Sequence, residues 1–177
     1  MIFEETNLKG AFVIEMEPLN DERGFFARTW CEREFREHGL NPFIKQCNVS
    51  FNKRTGTLRG MHYQDSPHQE AKLIRCTRGA IFDVIIDLRK GSSTFRQFVT
   101  VQLSEDNYRM LYVPEGFAHG FQTLAENTEV FYQMTEFYFP ELARGIRWDD
   151  PAFDIPWPMA TERFISERDR TFPDFMS

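Results

Sequence analysis

The sequence predicts an all-β fold, an antiparallel sandwich or barrel. Two observations carry this: short segments of period-two hydrophobic alternation, and turn residues that separate them at near-regular spacing. In the first such segment Phe82, Val84, Ile86 and Leu88 fall on one side, with Asp83, Asp87 and Arg89 on the other. In the second, Val99, Val101 and Leu103 oppose Thr100 and Gln102. In the third, Val130, Tyr132, Met134 and Tyr138 share a side of the segment 128–138. Each reads as a half-buried strand. Turn signals stand at Gly56, at Gly79, at Gly91 with Ser92 and Ser93, at Asn107, and at Pro114 with Gly116. A short helix is expected over Glu32–His38, ended by Gly39. Beyond Trp148, the prolines at 151, 156, 158 and 173 exclude long helices and central strands. That stretch is expected to be a strapped-on extension with one helical turn near Ser166–Arg170.

Length and composition bound the function. A chain of 177 residues fits one domain over 1–177 with a single sizeable core, and it contains no internal repeat, low-complexity tract or linker. Hydrophobic residues at 41% and charged residues at 27% exclude wholesale disorder. The formal net charge of −6 argues against nucleic acid as a partner, because counterion release needs a basic surplus. An acidic chain can still hold a basic pocket, and 16 of the 21 basic residues are Arg, the bidentate donor suited to phosphate and carboxylate. Cys31, Cys47 and Cys76 are odd in number and lack CxxC spacing, which suggests neither a disulfide framework nor a thiolate zinc site. A reducing cytoplasm is expected. The first ten residues lack the order of a signal peptide, and no run approaches the roughly 18 apolar residues of a membrane span.

Only four histidines are present, so each can be weighed. His38 falls on the polar side of the expected helix. His62 lies in Leu58-Arg59-Gly60-Met61-His62-Tyr63-Gln64, where a glycine inside a strand pattern signals a bulge or a close backbone approach. His119 follows a rigid Pro/Gly turn at Pro114–Gly116. Lys72 shares a strand side with Ile74 and Cys76, while Leu73, Arg75 and Thr77 share the other. A lysine among interior positions is either a cation at the mouth of a barrel or an electrophile beside a developing oxyanion. Pro114-x-Gly116-x-x-His119 also resembles the second motif of the cupin superfamily, whose metal-binding members use a His-x-His pair on an earlier strand. Here that strand offers His62-Tyr63-Gln64, so the pair is broken, and His68 and Glu70 remain as substitutes. On the residues alone, metal binding stays open.

Several ordered blocks together resemble the dTDP-4-dehydrorhamnose 3,5-epimerase family. They are Asp21-Glu22-Arg23-Gly24-Phe25-Phe26, the block 58–64, Lys72-Leu73-Ile74-Arg75, Asp83–Arg89, Pro114–Phe121, Ile146–Pro151 and Ser166-Glu167-Arg168-Asp169. The match runs from about residue 5 to residue 173. The resemblance implies a metal-free, cofactor-independent cupin-type jelly-roll barrel with an N-terminal strand extension. It further implies a homodimer whose site is shared across the interface, and a nucleotide-linked 4-keto-6-deoxyhexose as substrate. By similarity His62 is the general base, Asp169 its orienting carboxylate, Tyr132 the general acid on the opposite face, and Lys72 the cation at the C4 oxygen. Arg59, His119, Gln46 and Asn48 are implied to line the pocket. Arg23 is implied to reach a partner's pocket near the diphosphate, and Tyr138 to stack on the base. Arg168 stands where the family commonly has Lys.

Epimerisation beside a ketone needs a base, a group that holds the enolate and an acid on the other face, and His, Lys and Tyr meet those needs. Two positions depart from the family. Arg28 replaces a usual Glu, and Ala143 replaces the pocket Glu before Gly-Ile-Arg-Trp. Both lie outside the proton-transfer trio, so they bear on the nucleotide and sugar and leave the chemistry in place. Whether C3, C5 or both are inverted stays open. Two rivals are a metal-dependent cupin oxygenase or isomerase using His119 with His62, or with His68 and Glu70, and a non-catalytic sugar-nucleotide-binding barrel.

Overall fold

A computed structural model describes residues 1–175. Its strands are β1 (Ile2–Glu5), β2 (Phe12–Glu15), β3 (Leu19–Asp21), β4 (Gly24–Phe26), β5 (Gln46–Asn52), β6 (Thr57–Gln64) and β7 (Lys72–Arg78). They continue with β8 (Ala80–Asp87), β9 (Phe98–Ser104), β10 (Met110–Val113), β11 (Phe117–Thr123), β12 (Thr128–Met134), β13 (Ala143–Gly145) and β14 (Phe164–Ile165). Two short α-helices, α1 (Glu32–Glu37) and α2 (Glu167–Arg170), and a 3-10 turn at Pro140–Leu142 complete the described residues. One six-stranded sheet runs β1-β2-β10-β7-β12-β5, a second runs β13-β6-β11-β8-β9 with β14 added in parallel to β6, and β3 and β4 form a separate two-stranded hairpin. The fold is the expected cupin-type jelly roll.

The core has three layers. Between the sheets lie Ile74, Cys76, Ile81, Ile85, Leu103, Leu111, Phe117, Phe121 and Val130. Outside the first sheet, Phe35 of α1 joins Ile14, Leu73, Met110 and Tyr112. Outside the second sheet, Met61, Val84, Ile86 and Ala118 are covered by Ile146, just after β13, and by Phe153 of the C-terminal extension. The apolar stripe of Phe82, Val84 and Ile86 therefore faces this extension, and Ile81 and Ile85 fill the barrel interior. That corrects the half-buried reading of β8. Both its faces are covered, and Asp83 and Asp87, on the expected polar side, are fully buried. Asp87 is satisfied there by Arg89, Ser92 and Thr94.

The strand expected over 128–138 stops at Met134. Met134 pairs with Gln46 and Lys72, the first residues of β5 and β7, so no ladder exists beyond it. Thr135 closes the end by bonding both polar groups of Ala71. Tyr138 is consequently in a loop, where its backbone N–H donates to Gln46 Oε1 at 3.1 Å. His38 is exposed as expected, with its ring stacked on Phe3. Among the described residues no helix is long and apolar enough to cross a membrane.

Candidate active site

The site begins with the backbone of β6. His62 pairs with His119, and Arg59 with Phe121, so β6 spends three residues where β11 spends two. Strict alternation would send Arg59 and His62 to opposite faces; the extra residue puts them on the same face. Gly60 absorbs the bulge with φ +126°, a conformation open to glycine. A Cβ there would stand 2.5 Å from Gly120 Cα and 2.9 Å from His119 O. The bulge also turns the Gly60 N–H toward Asp169 Oδ2, at 3.2 Å.

Asp169 arrives from the other end of the chain. β14 runs beside the start of β6, and the Ser166 hydroxyl caps the turn that follows by accepting from the Asp169 N–H at 3.1 Å. The carboxylate is buried and its Oδ1 lies 2.7 Å from His62 Nε2. Burial works against its ionisation, but the His62 hydrogen bond and charge, the Gly60 N–H and the Ser166 hydroxyl outweigh it and hold its pKa below the usual value. With Nε2 engaged, Nδ1 is the ring nitrogen of His62 left for proton transfer.

Around His62 is a cavity of about 280 Å³ lined by Asn48, Ser50, Arg59, Lys72, His119, Phe121, Tyr132 and Met134. An adjoining cavity of about 430 Å³ shares Asn48, His62, Lys72 and Met134, and extends to Gln46, Gln64, Tyr138, Ala143, Arg144 and Arg168. Lys72 is buried, with Nζ 3.1 Å from Glu70 Oε1. His119 is buried on Asp83, with Nε2 2.5 Å from Oδ1, and Asp83 Oδ2 has no hydrogen-bond partner. Tyr132 packs edge-on against His119, with ring centroids 6.1 Å apart. Loss of water pushes its phenol pKa well above the ordinary value and the Asp83 charge adds to this, while Arg59 and the Ser50 hydroxyl pull it back. A histidine, a lysine and a tyrosine thus share one cavity.

Ten of the twelve residues singled out from the sequence meet here: His62, Tyr132, Asp169, Lys72, Gln46, Asn48, Arg59, His119, Tyr138 and Arg168. Arg23 and Arg28 line neither cavity. Arg23 sits on the β3–β4 hairpin and pairs with Asp21. Arg28 pairs with Glu34 at 2.7 Å, in a cleft of about 650 Å³ beside α1 that holds no histidine, lysine or tyrosine. The donors weighed for a metal are dispersed: His68 stacks on Phe139 near Glu136, Glu70 holds Lys72, and His119 holds Asp83. Among the described residues no three His, Cys, Asp or Glu side chains converge as metal ligands.

The sequence reading missed several lining residues. Ser50 follows Gln46 and Asn48 by strand alternation, as Phe121 follows His119, so both were legible. Arg144 was not, because it reaches the cavity only through the pairing of β13 with β6, in which it lies across from Tyr63.

A family model described as dTDP-4-dehydrorhamnose 3,5-epimerase matches residues 5–177. The enzyme of that name from Methanothermobacter thermautotrophicus is 47% identical over 172 residues, covering 96% of this chain and 92% of its own. The crystal structure of the dTDP-4-dehydrorhamnose 3,5-epimerase from Bacillus anthracis with TDP and PPi bound superposes with a TM-score of 0.94 at 41% identity, covering 98% of this chain and 99% of that one. The Legionella pneumophila epimerase in complex with dTDP-4-keto-L-rhamnose superposes at 0.90 with 34% identity, covering 99% of both chains.

Proposed function

The chain belongs to the dTDP-4-dehydrorhamnose 3,5-epimerase family, and we propose that His62, Lys72 and Tyr132 are the groups with which it works. It is an epimerase of nucleotide-linked 4-keto-6-deoxyhexoses of the dTDP-4-dehydro-6-deoxyglucose type. The observation that supports these roles is the convergence of the three side chains on one cavity, with His62 held by a buried carboxylate.

The C4 ketone acidifies the protons at C3 and C5. His62 Nδ1 removes one of them, and the electron pair moves onto the C4 oxygen as an enolate. Asp169 favours the imidazolium that forms. The Lys72 ammonium faces the oxyanion in a poorly hydrated site, where a fixed cation counts for more than in water. Tyr132 then delivers its proton to the opposite face of the same carbon. Burial keeps the phenol protonated at neutral pH, and a phenol is a far stronger acid than the carbon it protonates. Each inversion leaves imidazolium and phenolate, which reset by proton exchange with water.

In this reading Arg59, Arg144 and Arg168 attract the diphosphate, Tyr138 stacks on the nucleotide base, and Gln46, Asn48 and His119 line the sugar's cavity. Ala143, where the family carries Glu, lines the cavity and bears on the nucleotide or on an added anionic group, whereas Arg28 lies outside both cavities of its own chain and is paired with Glu34. A homodimer sharing its sites is part of the proposal. The β3–β4 hairpin exposes Leu19 and Phe26, the edge strand β5 exposes Val49 and Phe51, and two-stranded ribbons are marginal alone. The hairpin would carry Arg23 to the partner's cavity. The three cysteines are free, which fits the cytoplasmic setting proposed.

The test is solvent exchange. Incubation with dTDP-4-keto-6-deoxyglucose in heavy water is expected to place deuterium at C3, C5 or both, and the pattern reports which centres are inverted. His62→Ala is expected to lose exchange, and Tyr132→Phe to retain proton removal at one carbon with little net inversion. Exchange in His62→Ala at the wild-type rate refutes the base assignment, and light scattering that shows only monomer at micromolar concentration refutes the shared site.

A further inference from the structure

Gly145 lies directly across from His62 in the β13–β6 pairing, and cross-strand partners point to the same face of a sheet. The place where a side chain at 145 would stand is occupied. An added Cβ would overlap ring carbons Cε2 and Cζ of Phe172. Phe172 therefore replaces the missing side chain beside the imidazole, its ring edge-on to His62 with centroids 6.0 Å apart. It comes from the turn that also delivers Asp169, three residues later. Asp169 bonds the imidazole through Nε2 while Phe172 walls its flank, and the Arg168 guanidinium lies over the Phe172 ring, 5.7 Å from its centroid. His62 is 41% exposed at its side chain, so the ring is not held by burial and the Phe172 contact is one of the restraints on its rotation away from the carboxylate.

We propose that Phe172, seated in the notch that Gly145 leaves beside His62, is a positioning residue for the general base. The inference rests on the role given to His62 above. Loss of the aromatic wall frees the ring to leave the geometry in which Nε2 meets Asp169 and Nδ1 faces the substrate. Near-attack geometry is lost by displacements of about 1 Å, so the effect falls on turnover and leaves affinity nearly unchanged.

The notch supplies a size-complementation test. Gly145 does not have a positive φ, so alanine is compatible with its backbone, and the obstacle is the Phe172 ring. Phe172→Ala is expected to lower kcat for deuterium exchange about tenfold with KM within about twofold, and Phe172→Leu, which keeps apolar bulk, to recover most of the loss. Gly145→Ala is expected to match Phe172→Ala because it expels the ring. The double variant is expected to be no worse than either single, the sign of a shared mechanism. In the unliganded protein, the ¹⁵N resonances of His62 are expected to report a single Nε2–H tautomer in the wild type and a tautomer mixture in Phe172→Ala.

Unchanged kcat in Phe172→Ala together with an unchanged tautomer overturns the proposal, and so do losses that multiply in the double variant. A loss confined to melting temperature, with kcat intact in the surviving fold, likewise overturns it. A tautomer shift with kcat unchanged leaves the positioning of His62 standing and instead overturns its role as base. The two readings therefore fail separately.

Discussion

Asp169→Asn isolates the electrostatic part of the dyad, because the amide keeps the shape of the carboxylate and removes its charge. In the native protein Oδ1 lies 2.7 Å from His62 Nε2, and in the proposed reaction the imidazole gains a positive charge as it takes the substrate proton. Two unit charges about 4 Å apart interact by roughly 4 kcal/mol at an effective dielectric constant near 20. His62 is partly open to solvent, so about half of this, ~2 kcal/mol, is a fair share, worth about 30-fold in rate. The amide adds a second fault. Its N–H₂ donates to Nε2 and stabilises the tautomer whose Nδ1 is already protonated. Escaping that tautomer costs about one hydrogen bond, ~1–1.5 kcal/mol, or roughly another tenfold. The expected outcome is a fall in kcat of about 300-fold with KM little changed, read as deuterium incorporation by mass spectrometry, with thermal unfolding as control. A kcat within about threefold of wild type, or a loss carried by KM, would refute the reasoning.

Other outcomes follow from the same geometry. Lys72→Gln removes the cation proposed to face the C4 oxygen and is expected to lower kcat by about 10²–10³-fold, with a near-normal dissociation constant for dTDP by calorimetry. Gly60→Ala must fit a Cβ at φ +126° against Gly120 Cα and His119 O. It is expected to cost about 3 kcal/mol or more, a fall in melting temperature of roughly 6–12 °C, and most of the exchange activity, since the bulge aligns Arg59 with His62. Asp87 supplies a pH prediction. Burial opposes its ionisation, but Arg89, Ser92 and Thr94 hold its pKa at about 2, below the ordinary 3.8. A folded-state pKa below the unfolded value gives stability that is present above about pH 4 and is lost as pH falls through about 2. The shift corresponds to about 2 kcal/mol. Urea unfolding from pH 5 to pH 2 is therefore expected to show a loss in wild type that is about 2 kcal/mol smaller in Asp87→Asn, and equal losses would count against the assignment.

Alternation and turn residues were enough to read the β class, the inward side of β7 with Lys72, and the helical turn at Ser166. They were enough because those features depend on neighbours in the chain. The end of β12 was misread, since alternation persists to Tyr138 while the ladder ends where β5 and β7 begin. β8 was misread for a related reason. Its apolar stripe is real, but a segment more than sixty residues away covers it, and the stripe alone does not say which buried face is the barrel interior.

The proposed catalytic constellation shows the same division. Which groups are present was legible in the sequence alone, through blocks whose order resembles one family: a histidine after a strand glycine, an inward lysine, a tyrosine on an apolar strand, and an aspartate in the helical turn expected near Ser166–Arg170. Their mutual geometry was decided only in three dimensions. The bulge at Gly60 brings Arg59 and His62 to one face, and β14 carries Asp169 across more than a hundred residues to reach His62. Gly145 leaves the space that Phe172 fills. Local pattern records the spacing of residues along one strand, whereas the contact that fixes His62 depends on three separate segments closing over a single point.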